Sequence, residues 1–234
     1  FYEQALRNIC IEPLMLRSNQ RSGKCVALVS PDGERTFVTH LGAALDLTAD
    51  EIDAAVFDSY DYLYIEGYLV QDHDLICRAV EMAHAAGLKV CLDLASYNIV
   101  EAQHEFFSYL LDHTDIVFAN EEEALAFTGK GPREALDLLA QRCEVAVVKT
   151  GKEGAMARRG EEFAQAPAEP VAQVIDTTAA GDFFAAGFLY RHAQGAPLAD
   201  CLVAGGAVAG AVIQVVGTQL ADQTWDALRQ RLGA

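Results

Sequence analysis

From residue 62 onward the sequence alternates short apolar runs with amphipathic segments. The apolar runs are YLYIEG, KVCLDL, DIVFA and EVAVVK, and the intervening segments carry apolar residues at helical spacing. One of these segments is IVEAQHEFFSYLLDH, which predicts one helix over 99–113. Apolar runs of this length are typical of strands in a parallel sheet whose two faces are covered by helices, with right-handed crossovers. GAMARRG with EEFAQAP predicts a hairpin at the sheet edge, and long helices are predicted over roughly 181–194, 197–214 and 222–232. The pattern therefore predicts an α/β fold.

The N-terminal part follows a different pattern. Residues 1–9 have the spacing of an amphipathic helix, and the β-rich runs 24–30 and 34–40 are separated by Pro31, Asp32 and Gly33. This turn chemistry predicts a β-hairpin. We predict three parts: a helix and connection over 1–23, a hairpin lid over 24–44, and an α/β core over 45–234.

Composition excludes several classes of partner. The formal net charge of −17 gives a field that repels nucleic acids and anionic membranes, so neither is expected as a partner. The sequence contains no long uncharged apolar run, and its first residues do not resemble a signal peptide. The six cysteines are spread without metal-ligand spacing and are interpreted as reduced thiols. We therefore expect a soluble cytoplasmic protein.

The most informative run is DTTAAGD, residues 176–182, directly before an apolar helix. Small residues at a helix start let backbone N–H groups converge, which favours anion binding. Asp182 beside an anion is repulsive unless it serves chemistry, such as accepting a proton from a hydroxyl that attacks phosphorus. In the alternative interpretation, Asp176 or Thr178 caps the helix and Asp182 complements its dipole.

This heptapeptide resembles the D-T-x-G-A-G-D signature of the PfkB family, the ribokinase-like sugar and nucleoside kinases. The resemblance implies a ribokinase-like three-layer α/β/α sandwich with a mostly parallel central sheet and a small β lid. It also implies that Asp182 is the catalytic base and that Ala179, Ala180 and Gly181 complete an anion hole with it. Ala179 replaces the first glycine, which would cost ~1 kcal/mol if φ is positive there.

A second match is Asn120 with Glu123, which resembles the family's N-x-x-E motif. The resemblance implies that Glu123 organises water around the Mg²⁺ of the nucleotide. The same spacing is also that of a capping box, with Asn120 as N-cap. Both interpretations are compatible, because residues i and i+3 share a helix face.

Further segments of the 45–234 core resemble segments that bind the nucleotide in this family. Lys149, Thr150, Gly151 and Gly154 resemble the segment that contacts the ATP phosphates and ribose, although hairpin glycines explain them as well.

Gly206 and Gly217 match the adenine cleft of the family, although small helix residues also serve close packing. Asp176 and Thr178 match the residues that hold potassium in ribokinases. The resemblance thus implies ATP and Mg²⁺ as cofactors, with potassium as an option.

The hairpin, together with YLYIEGYLV, resembles the adenosine-kinase-like branch. On that resemblance Phe37, Thr39 and Leu41 face the substrate and Arg35 approaches the transferred phosphate; the alternative is a lid face turned to solvent. The predicted function is phosphoryl transfer from ATP to the 5′-hydroxyl of a nucleoside such as adenosine, because an apolar, aromatic lid favours a base. A ribokinase- or fructokinase-type sugar kinase and a non-catalytic nucleotide-binding module stay open.

The family's N-terminal strand, with its substrate-binding aspartate and G-G segment, has no match in this sequence. The N-terminal part of the family fold is therefore not represented. An exposed hairpin lid is compatible with edge-to-edge pairing, so a monomer and a homodimer both stay open.

Overall fold

The structure is a computed structural model that describes residues 2–29 and 35–233. The side chains of Ala27, Val29 and residues 35–37 also lie outside the description. The chain divides into two compact units. One contains the described residues up to Tyr60 together with Asp72–Ala86, and the other contains Asp61–Gln71 and the chain from Gly87 onward. The predicted boundary at residue 45 stays a prediction.

The first unit contains a small antiparallel sheet. Helix α1 (Tyr2–Asn8) precedes β1 (Ser22–Val29) and β2 (Arg35–Gly42), which pair with Val26 opposite Val38. Three short 3₁₀ helices follow, and α2 (His73–Ala85) packs against the second of them, Ala49–Glu51. The two predicted strands of the hairpin are confirmed, whereas its predicted turn at Pro31–Gly33 lies outside the described residues.

A six-stranded mixed sheet forms the centre of the second unit. Its strands lie in chain order and are β3 (Tyr62–Glu66), β4 (Lys89–Asp93), β5 (Ile116–Asn120), β6 (Val145–Lys149), β7 (Ala155–Arg159) and β8 (Glu162–Ala166). The first four are parallel, while β7 and β8 form an antiparallel hairpin beside β6. The predicted α/β class and edge hairpin are thereby confirmed.

Seven helices of this unit are described. They are α3 (Tyr97–Ala102), α4 (His104–Leu111), α5 (Glu121–Thr128), α6 (Pro132–Leu139), α7 (Ala180–Ala193), α8 (Leu198–Val212) and α9 (Asp222–Leu232). The prediction of one continuous helix over 99–113 was wrong. Gln103 leaves helical geometry, with φ −121° and ψ 27°, and separates α3 from α4.

Both faces of the sheet are buried. Ile116 and Phe118 pack on the side of α7 and α8, where the rings of Phe118 and Phe188 meet edge to face with centroids 5.4 Å apart. The alternate residues Val117 and Ala119 point to the opposite face and are fully buried as well. Helices α5 and α6 pack against β5 and β6. Burial of both faces explains why the sequences of these strands are continuous apolar runs.

None of the described helices combines the length and hydrophobicity that are needed to cross a membrane.

Candidate active site

Each of the four parallel strands ends in a polar residue. Glu66, Asp93, Asn120 and Lys149 are the last residues of β3, β4, β5 and β6, which are otherwise mostly apolar. Glu66 lies opposite Asp93 in the register, and Asn120 lies opposite Lys149. Since the carboxyl ends of parallel strands share one edge of the sheet, these four side chains start from the same edge. This is where ligands of α/β proteins bind.

A buried ion pair lies at this edge. Nζ of Lys149 is 3.0 Å from Oδ2 of Asp93, and the side chains are 15% and 8% exposed. The hydroxyl of Tyr64 donates to the same Oδ2 at 3.3 Å, and Oδ1 accepts the N–H of Ala95 at 2.9 Å. Burial and the charge of Asp93 raise the pKa of Tyr64, so that this hydroxyl keeps its proton. The network holds the Lys149 ammonium in a defined place.

The backbone next to Asp93 is tightly constrained. A Cβ atom added to Gly67 would lie 2.6 Å from the carbonyl oxygen of Asp93, so the strand ends approach too closely for a side chain. Ala95 has φ 60°, a left-handed conformation that is costly for a residue other than glycine. Strained residues of this kind concentrate at functional sites.

The turn before α7 starts with a left-handed residue, while its role as an anion hole stays a prediction. Ala179 is the N-cap of α7 with φ 60°, at the position where the family signature has glycine. The side chain of Ala179 makes no capping hydrogen bond, and the alternative that Asp176 or Thr178 caps this helix stays a prediction. The amides of Gly181 and Asp182 belong to the first turn, where no intrahelical acceptor exists. Amides of this kind at the start of a helix favour anion binding.

Lys149 also approaches this turn. A Cβ atom added to Gly181 would lie 3.1 Å from Nζ of Lys149, so glycine leaves space for the ammonium group beside the helix start. Asp182 follows directly and is exposed. The ion pair at the strand ends and the N-terminus of α7 thus belong to one site.

Glu66 is a site residue that the sequence analysis missed. Burial, followed by the charge of Asp182 and that of Asp93, raises the pKa of Glu66 to about 7, and a side-chain hydrogen bond with Asp182 acts in the same direction. Asp93 was missed as well. The signal that would have found both is a single acidic residue that ends an otherwise apolar strand.

Asn120 and Glu123 form the capping box of α5. The Asn120 N–H donates to Oε2 of Glu123 at 2.7 Å, and the Glu123 N–H donates to Oδ1 of Asn120 at 2.8 Å. Glu123 is 2% exposed, and burial raises its pKa to about 7 although the charge of Lys149 opposes this. The capping interpretation is confirmed, while the role of Glu123 in holding water around Mg²⁺ stays a prediction.

A cavity of about 720 Å³ extends from this edge of the sheet. The predicted residues that line it are Asn120, Lys149, Gly151, Gly154, Ala180, Gly181 and Gly206. Its lining also includes the apolar residues Val171, Val174, Ala209 and Ile213. Predicted residues that are not among the described lining residues are Thr150, Glu123, Ala179, Asp182, Gly217, Asp176 and Thr178.

Gly154 and Gly206 both line the cavity, but they differ in whether the structure has room for a side chain at that position. Gly154 has φ 100°, and a Cβ atom there would lie 2.0 Å from the carbonyl oxygen of Ala166. Glycine is therefore required where the chain leaves β6 and enters the hairpin. A Cβ atom on Gly206 would meet no atom of the described residues within 4 Å, because this glycine faces the cavity.

Asp176 connects two loops beside the cavity. Its Oδ1 accepts the N–H of Thr178 at 2.8 Å, and its Oδ2 accepts the N–H of Gly217 at 2.9 Å. The segment before α7 is thereby joined to the segment after α8. The predicted roles of Asp176 and Thr178 in potassium binding and of Gly217 in the adenine cleft stay predictions.

The predicted lid residues lie on β2 of the first unit. Thr39 is exposed, its hydroxyl lies 3.4 Å from Sγ of Cys25, and Leu41 is 39% exposed. The side chains of Arg35 and Phe37 lie outside the described residues. The substrate-facing role of these four residues stays a prediction.

The model of the family described as pfkB family carbohydrate kinase matches residues 1–225. The chain belongs to the pfkB family. Members of this family are phosphotransferases, so the predicted resemblance, the ribokinase-like fold and the enzyme class are confirmed.

Among solved structures, the pfkB chain is similar to an adenosine kinase from Sinorhizobium meliloti, with 32% identity, a TM-score of 0.90, and coverage of 98% of this chain and 73% of that one. A probable sugar kinase from Rhizobium etli CFN 42 is similar at 31% identity and the same TM-score, with 98% and 72% covered. An uncharacterized sugar kinase from Archaeoglobus fulgidus is 26% identical over 215 residues, or 88% of this chain and 82% of that protein. The relatives thus include both nucleoside and sugar kinases.

Proposed function

We propose that the protein transfers the γ-phosphoryl group of ATP to the 5′-hydroxyl of a nucleoside such as adenosine, with Asp182 as general base. The observation that carries this proposal is the position of Asp182. Its carboxylate is exposed in the first turn of α7, next to amides that lack intrahelical acceptors and next to Lys149. The similarity to an adenosine kinase at 32% identity supports the nucleoside as acceptor.

The cavity fits a nucleotide. Its volume of about 720 Å³ lies within the range of small-molecule sites. Lys149 and the start of α7 provide donors for phosphates, and apolar lining residues such as Val171 and Ile213 suit a base. A putative ribokinase II from E. coli with a similar fold has been solved in complex with ATP and Mg²⁺. We propose the same cofactors for this chain.

Bound MgATP would supply the phosphoryl group that is transferred. Asp182 orients the acceptor hydroxyl and takes its proton at a carboxylate oxygen. The N–H groups of Gly181 and Asp182 donate to the phosphate oxygens on which negative charge is concentrated. The Lys149 ammonium, which Asp93 holds beside Gly181, adds a positive charge at the same place. Each of these groups acts from a fixed secondary-structure element.

The charge balance of the site supports a need for cations. Glu66, Asp93, Asp182 and Glu123 surround Lys149, so the acidic groups outnumber this lysine. A polyphosphate binds in such surroundings when a divalent cation neutralises part of its charge. We propose that Glu123 contributes to Mg²⁺ through water, and that Asp176 and Thr178 bind potassium. Turnover that is the same with potassium and with a bulky organic cation would contradict the potassium proposal.

The test is ADP release from MgATP with adenosine, inosine, guanosine, ribose and fructose as acceptors. We expect turnover with nucleosides, and we expect Asp182→Asn to lower kcat by about 10³-fold or more while ATP still binds. Asp200→Asn is the matched control, because Asp200 is also an exposed acidic residue in the first turn of a helix, α8. Near-normal turnover of Asp182→Asn would contradict its assignment as base.

A sugar kinase is the second candidate. The probable sugar kinase from Rhizobium etli CFN 42 matches this chain with the same TM-score of 0.90 as the adenosine kinase. Turnover with ribose or fructose alone would establish this alternative and overturn the nucleoside as acceptor. ATP binding without turnover for any acceptor would favour a nucleotide-binding module that does not catalyse transfer.

A further inference from the structure

One wall of the cavity is an irregular segment between β8 and α7. Residues 167–171 line the cavity, and the described backbone over 167–179 forms neither helix nor strand. Helix α8 also lines the cavity, with Gly206, Ala209 and Gly210. A segment without ladder or helix hydrogen bonds depends on side-chain contacts for a defined position.

Glu169 connects this wall segment to helix α8 and to Arg231. Its aliphatic part lies directly on α8, because a Cβ atom added to Gly210 would lie 2.7 Å from Cβ and Cγ of Glu169. Its carboxylate binds the guanidinium of Arg231 with two hydrogen bonds, from Nη1 to Oε1 and from Nη2 to Oε2, each of 2.8 Å. A paired contact of this kind fixes orientation as well as distance. The hydrogen bonds with Arg231 also lower the pKa of Glu169.

Arg231 is carried by a helix that is anchored elsewhere. Leu228 of α9 is buried against α8 in one hydrophobic cluster, and the ring of Trp225 stacks on Phe183 with centroids 6.1 Å apart. Arg231 is not among the described residues that line the cavity. Its hydrogen-bonded contact with the cavity lining is through Glu169.

We propose that Arg231 is a positioning residue that fixes the 167–171 wall and thereby sets the affinity of the cavity for nucleotide. The proposal rests on the proposed function in one respect, namely that the cavity binds ATP. The competing interpretation is an exposed ion pair without consequence, which is common at protein surfaces. The two interpretations predict different results when the Glu169–Arg231 ion pair is removed. Only a positioning role predicts a loss of affinity for nucleotide.

The experiment compares Arg231→Gln and Glu169→Gln with the control Arg229→Gln. Arg229 lies on the same helix and forms an exposed ion pair with Asp226, at 3.2 Å. We expect both test variants to raise the KM for ATP, and the Kd for MgATP measured by calorimetry, by about fivefold to tenfold, because binding must then order the wall. The kcat and the KM for the acceptor should stay within about twofold, since the groups around Asp182 are untouched. Arg229→Gln should change none of these values.

Two further variants separate positioning from folding. The charge swap Glu169→Arg with Arg231→Glu should recover most of the affinity that either single change loses, and Arg231→Lys should recover part of it. Hydrogen exchange of the amides in residues 168–175 should be faster in Arg231→Gln than in the wild type, while exchange in β4 and β5 stays the same.

Several outcomes would overturn the inference. Unchanged KM and Kd for ATP in Arg231→Gln and Glu169→Gln would do so, as would an equal effect of Arg229→Gln. A loss of kcat alone would also overturn it. Absence of MgATP binding to the wild-type protein would instead refute the proposed function, and with it the assignment of this wall to a nucleotide. Calorimetry on the wild type therefore distinguishes the two failures.

Discussion

Nζ of Lys149 lies 3.0 Å from the carboxylate of Asp93, at the carboxyl ends of two strands that β5 separates. The pair is buried, and it places a single cation next to Gly181 at the start of α7. Strand order thus creates a contact between residues that are 56 positions apart in the sequence. The position of this cation is the link between the sheet and the turn that precedes Asp182.

The first prediction concerns this ion pair. We expect Lys149→Met to lower the free energy of unfolding by about 3 kcal/mol, because Asp93 then remains as a buried charge without its counterion. We also expect kcat/KM to fall by about 10²-fold, because a donor to the phosphates is lost. Urea denaturation and steady-state kinetics measure the two effects. Lys152→Met, which removes an exposed lysine of the same cavity, should leave stability unchanged; equal stability losses would contradict the prediction.

The second prediction concerns Glu66 and pH. Its pKa is raised from 4.5 to about 7 in the folded protein, so the folded state binds this proton more tightly than the unfolded state does. The resulting stabilisation is complete below about pH 4.5 and is lost as the pH rises through about 7. We therefore expect Glu66→Gln to be more stable than the wild type at pH 8, with a smaller decrease of Tm between pH 5 and pH 8. Parallel Tm profiles for the two proteins would refute this.

The third prediction concerns the left-handed residue before α7. Ala179 has φ 60°, where glycine carries no steric penalty. Ala179→Gly should raise the free energy of unfolding by up to ~1 kcal/mol. Ala180→Gly is the matched control and should lower it by a similar amount, because residue 180 is helical. Thermal unfolding measures both, and a destabilised Ala179→Gly protein would contradict the assigned backbone conformation.

Sequence analysis predicted those parts of the site that local pattern determines. The turn before α7 and Asp182 were singled out because small residues before an apolar helix are a local signal, and their roles stay predictions. The capping box of Asn120 is also a local signal, and it is confirmed. Glu66 and Asp93 were missed because each is a single acidic residue at the end of a strand. The sequence does not show directly which strands are neighbours, and so it does not show that these two residues lie close together. The break at Gln103 was missed because neither glycine nor proline marks it.

The last prediction tests whether the cavity is the nucleotide site. Gly206 faces the cavity, and a Cβ atom there would meet no atom of the described residues within 4 Å. We expect Gly206→Leu to fold normally, because leucine is a better helix former than glycine. It should weaken MgATP binding by at least about tenfold, because its side chain occupies space that the nucleotide needs. Gly187→Ala, where the added Cβ would lie 2.6 Å from the carbonyl oxygen of Ala204, should instead destabilise the protein. Normal MgATP affinity in a folded Gly206→Leu protein would show that the nucleotide binds elsewhere.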